Sequence, residues 1–147
     1  MPALYTSLRL EAAWLEAQQG FAFKAQPMTM CAYEVDCADI VDLRNADQQA
    51  LNGVNFGDLA CPWEDMADRG MVPPSWKMAD RLWNDGMAGI LVPSFAPGAT
   101  ETDHNAVFWR WTREPPHQVH IIGDTGRLPR DDRSWRSLDD GSIAAAW

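Results

Sequence analysis

The chain has 147 residues and a formal net charge of −9, with 46% hydrophobic and 22% charged residues. That length fits one domain burying about two-thirds of the surface its unfolded form exposes, without a metal or disulfide staple, and the composition is that of a globular protein. The acidic balance argues against a general nucleic-acid binder, which collects phosphates on a basic face; no apolar run approaches the roughly 18 residues of a membrane span and no basic segment with an apolar signal core opens the chain, so the expected compartment is cytoplasmic.

At the start of the chain, Leu4-Tyr5 reads as a short strand. Ser7 reads as the N-cap of a helix whose apolar positions include Leu8, Ala12 and Leu15, and Gly20 is placed to end it in a left-handed cap. Tyr5 and Glu16 can then face one cleft, although spacing alone fits a packing tyrosine and a solvated glutamate better. Residues 21–27 read as a connector pinned by Phe21 and Phe23, with a lid as the alternative.

From Met28 to Asp36 the alternation predicts a central strand with both faces covered. A turn and short extended segment follow over 38–43, then a brief helix over 47–51 and a loop over 52–57. Pro62 and the acids after it mark a helix start near Cys61. Pro73-Pro74-Ser75 introduces a clearer helix with an apolar stripe of Trp76, Ala79, Leu82 and Trp83, stopped by Gly86; its tryptophans read as core.

Ala88 to Val92, apolar and bounded by Gly86 and Pro93, predicts a buried strand. An irregular loop runs from Pro93 to His104, and Asn105 opens a strand in which Val107, Trp109 and Trp111 alternate with Phe108 and Arg110. One more strand, Gln118 to Ile122, ends in the turn residues Gly123 to Gly126, and a polar tail begins at Arg127. The expectation is a compact α+β domain with a central mixed or antiparallel sheet flanked by helices.

Most familiar catalytic patterns are missing. Neither G-x-x-x-x-G-K-[ST] nor G-x-G-x-x-G occurs, and Ser94 lacks a G-x-S-x-G elbow. Ser94 nonetheless ends a buried strand, where a serine either faces a ligand cleft or stabilises a turn. His117 and His120 point to opposite faces of one strand, so a shared metal site is not expected. Asp103 and His104 are adjacent and poorly placed to act on one atom. Cys31, Cys37 and Cys61 form no C-x-x-C pair and are expected to be reduced and buried.

Four phrases in register resemble the RES-domain family. They are Ala3-Leu4-Tyr5-Thr6-Ser7 with Glu11 to Glu16, then Ala32 to Asp36 with Ile40 to Leu43, then Ala88 to Ser94, then Asn105 to Phe108. The resemblance implies an ADP-ribosyltransferase-like fold of the diphtheria-toxin type, and the toxin half of a bacterial toxin–antitoxin pair. It implies NAD as the substrate, cleaved between nicotinamide and ribose, with ADP-ribose passed to water, phosphate or a protein side chain. The partner implied is an Xre-type antitoxin, and a homo-oligomer is compatible with eight tryptophans.

The family glutamate and serine match Glu16 and Ser94, and Tyr5 matches the aromatic before the glutamate. Glu16 is the expected catalytic carboxylate beside the ribose, with Tyr5 and Ser94 contacting nicotinamide or its ribose and Lys24 offered to the pyrophosphate. The family arginine lies upstream of the tyrosine strand, whereas this sequence begins almost at that strand and Arg9 follows Tyr5. The expectation is therefore a RES domain over 1–147 lacking the arginine-containing segment. Two readings stay open, an NAD-consuming enzyme and a catalytically impaired RES-like binding module.

Overall fold

The structure, a computed structural model, describes residues 2–21 and 28–123. In chain order the elements are β1 (Leu4–Ser7), α1 (Leu10–Gln18), β2 (Ala32–Cys37), β3 (Ile40–Asp42), α2 (Ala46–Leu51), α3 (Phe56–Leu59), α4 (Trp63–Asp68), α5 (Pro74–Asn84), β4 (Gly89–Pro93), β5 (His104–Phe108) and β6 (His117–Ile122). This is an α+β fold. A mixed four-stranded sheet runs in the order β1-β5-β4-β3, and β2 pairs with β6 in a separate two-stranded sheet. β5 is antiparallel to both its neighbours, while β3 and β4 are parallel.

The register decides which side chains share a face. Tyr5, Val107, Ile90 and Val41 lie opposite one another across the four strands, and Ser7, Asn105 and Val92 form the next row on the same face, because side chains two apart on a strand point the same way. The apolar members of these rows pack with Met78 and Leu82 of α5. On the opposite face Ala106, Phe108 and Leu91 pack with Val119 of β6 and Tyr33 of β2. The main sheet is thus covered by helices on one side and by the two-stranded ribbon on the other.

Gly89 permits the close strand pairing at the centre. A Cβ there would sit 2.3 Å from the Val107 carbonyl oxygen, a contact no side chain tolerates. Arg9 secures the approach to β5, donating to Asp103 Oδ1 at 3.3 Å and to the Thr102 hydroxyl at 3.2 Å. Asp103 is itself buried, and the backbone N–H and hydroxyl of Thr100 hold its carboxyl below the ordinary carboxylate range. Its hydrogen bonds go to Arg9 and Thr100, which makes it a structural group.

Several expectations change. Residues 28–31 lie outside β2, which pairs with β6 alone and leaves most of its side chains exposed, so it is not a central strand; alternation identifies a strand but not its neighbours. The α1 N-cap is Arg9, which makes no side-chain cap, because the Ser7 hydroxyl is spent on Asn105. Left-handed backbone begins at Gln19, one residue before Gly20. Phe56–Leu59 is a short helix that begins at the end of the expected loop, with a capping box of Asn55 and Asp58.

In α5 the buried residues are Met78 and Leu82, and Trp76 is exposed. Strand β5 ends at Phe108, with Trp109 and Trp111 buried beyond it. The three cysteines are free, as expected, but only partly buried. Phe21 is exposed, and Phe23 and the tail from Arg127 lie outside the described residues. No helix among the described residues is long and apolar enough to cross a membrane.

Candidate active site

Short, β-compatible residues carry Tyr5 to the inner face of β1, and the following helix returns Glu16 over the same face. The two meet at Asn105. Its amide nitrogen donates to Tyr5 Oη at 3.0 Å and to Glu16 Oε1 at 2.5 Å, while its Oδ1 accepts from the Ser7 hydroxyl at 2.6 Å. Asn105 is 0% exposed, so its polar atoms depend wholly on these partners.

Ser94 enters from the loop after β4. Its hydroxyl donates to Glu16 Oε1 at 2.6 Å and accepts weakly from the Ala96 N–H at 3.3 Å. The serine thus supports the turn after β4 and holds the Glu16 carboxylate, and it is not among the described residues that line the cleft. Glu16 Oε1 receives two donors, whereas Oε2 has no partner among the described residues.

The Tyr5 residue is 52% exposed, but its hydroxyl end lies against the buried amide. Loss of water around that end and the neighbouring Glu16 charge push its pKa up to about 12, with the Asn105 hydrogen bond opposing them. Tyr5 is consequently neutral at physiological pH. Since Oη accepts from Asn105, its own hydrogen remains available for a ligand oxygen.

These groups open into a cleft of about 800 Å³, floored by Ile90, Val92 and Val107 and walled by α1, α4 and α5. The size falls within the about 300–1,000 Å³ usual for small-molecule sites. Tyr5 and Glu16 line it, and Ser94 stands behind Glu16. Among the described residues that line the cleft, the charged side chains are Glu16 and Asp80, with no lysine or arginine. Lys24 lies outside the described residues, and Arg9 is engaged by Asp103 and Glu11. No group of three or more His, Cys, Asp or Glu side chains among the described residues could hold a metal ion.

A family model described as RES domain matches residues 1–131. The chain belongs to the RES-domain family. No curated protein and no solved structure matches it.

Sequence reasoning about this RES domain brought Tyr5, Glu16 and Ser94 forward but passed over Asn105 and Ser7. A signal was present: Asn105 heads an otherwise apolar run, Ala106-Val107-Phe108, and an amide in a buried strand must find partners. Reading the tryptophans of α5 as core also concealed Trp76, which lines the cleft together with Trp63.

Proposed function

We propose that this RES domain cleaves NAD at the bond between nicotinamide and ribose, as the toxin of a bacterial toxin–antitoxin pair. The observation that carries the reading is Glu16, anchored through Oε1 by Ser94 and Asn105, with Oε2 lacking a partner among the described residues, in a cleft. Breaking the glycosidic bond sends the bonding electron pair to nicotinamide, which leaves neutral, while positive charge develops on the ribose. A fixed carboxylate stabilises that charge more in the transition state than in the ground state. Water, phosphate or a protein side chain then supplies the nucleophile.

Tyr5 offers its ring to the cationic nicotinamide, worth about 0.5–2 kcal/mol, and its free hydroxyl hydrogen to a ligand oxygen. Ser94 positions the carboxylate. The mixed sheet with helices agrees with an ADP-ribosyltransferase-like architecture, which remains part of the proposal. Its cytoplasmic partner would be an Xre-type antitoxin, and the net charge of −9 suits a basic contacting segment.

A second reading, a non-catalytic binding module, is favoured by the absence of a lysine or arginine among the described lining residues. A pyrophosphate is held best by bidentate guanidinium contacts. The test is incubation of antitoxin-free protein with NAD labelled in both halves, with and without phosphate and candidate protein acceptors. Free nicotinamide is expected, and the location of the ADP-ribose label identifies the acceptor. Intact NAD in every arm, with the protein folded, supports the binding module.

A further inference from the structure

The part of the cleft lined by α4 and α5 carries a second constellation. Trp63 opens α4 and Trp76 lies in the first turn of α5, their ring centroids 6.5 Å apart and their planes inclined at 37°. Each is 46% exposed, and both line the cleft. Trp83, by contrast, is capped by the Arg110 guanidinium at 4.2 Å. Asp80 follows Trp76 by one helical turn, which puts both on the same side of α5; it also lines the cleft, and its carboxylate has no hydrogen-bond or ion-pair partner among the described residues.

We infer that the α4–α5 wall is a base-stacking subsite for a purine, in which Trp76 and Trp63 supply the aromatic surface and Asp80 accepts a hydrogen bond from an exocyclic amine. The inference rests on NAD as the substrate and adds where the second base of the dinucleotide is held. Two half-exposed indoles in a concave site expose apolar area that a flat base covers, and stacking suits any π-face. Selectivity has to come from a polar group. A carboxylate only accepts, so it favours the amine of adenine over the carbonyl of hypoxanthine. With no cation among the described lining residues, the base is expected to contribute much of the affinity that phosphates supply elsewhere.

The test is calorimetric binding of AMP, IMP and nicotinamide mononucleotide to the purified chain, with nicotinamide release from NAD measured alongside. Trp76→Ala is expected to weaken AMP roughly 5- to 150-fold while leaving nicotinamide mononucleotide unchanged, and Trp63→Ala to act in the same direction. Wild type is expected to prefer AMP to IMP, and Asp80→Asn to abolish or reverse that preference. If nicotinamide mononucleotide binds but wild type fails to bind AMP, or Trp76→Ala binds AMP normally or loses both ligands equally, the subsite is overturned and the NAD reading stands. Absence of both nicotinamide mononucleotide binding and nicotinamide release overturns the NAD reading, and this inference with it.

Discussion

Asn105 satisfies both of its amide hydrogens and its carbonyl oxygen at once, linking β1, β5 and α1 through Tyr5, Ser7 and Glu16. Truncation leaves those partners facing an apolar void. Asn105→Ala is expected to cost about 1–3 kcal/mol of stability, read from urea denaturation; an unchanged midpoint would mean that water replaces the amide without loss. Tyr5 and Cys37 give the protein an alkaline signature. Burial raises the Cys37 thiol from 9.0 to about 11, helped by Asp39 and Asp36, and burial with Glu16 raises Tyr5 from 10.0 to about 12. Both hold their protons more tightly folded than unfolded. Their contribution is therefore complete below pH 9 and lost as pH rises through about 11 and 12. Urea midpoints should fall across that window, and Tyr5→Phe should flatten its upper part; an equal fall in the variant would remove Tyr5 as a cause.

At the level of elements, the central sheet depends on one missing Cβ. Gly89→Ala would drive a methyl group into the Val107 carbonyl and force β4 and β5 apart, at about 3 kcal/mol or more. Thermal unfolding checks this, and a variant as stable as wild type would show that the pairing can relax. β4 was legible because Ile90-Leu91-Val92 is a short aliphatic run between breakers, and α5 because Pro74 and Gly86 bracket it. The placement of β2 was not legible: Tyr33 and Val35 predict a strand, but whether it joins the main sheet depends on partners distant in sequence. Ser7 was misjudged for a related reason. A hydroxyl just before a helix serves equally as a cap or as a donor to another strand, and only the pairing with Asn105 decides. Glu16 and Ser94 became legible as a site through the family phrases, since their 78-residue separation gives no local signal.

Across the molecule, the sheet presents Tyr5 and Asn105 on its helix-covered face, α1 brings Glu16 above them, and α4 and α5 close the far wall with Trp63 and Trp76. The two-stranded ribbon supports the opposite face and leaves the cleft open. On the proposed reading, a dinucleotide entering this cleft would meet acidic groups and aromatic surface, suited to a cationic nicotinamide ribose and a second base. The most direct measurement is the rate of nicotinamide release from NAD by wild type and Glu16→Gln, each shown to be folded by circular dichroism. Glu16→Gln keeps an oxygen acceptor for Ser94 and removes the charge, so the expected result is turnover by wild type and a loss of about 10²–10³-fold in the variant. Equal release by both proteins, or none by folded wild type, would contradict cleavage driven by the Glu16 carboxylate.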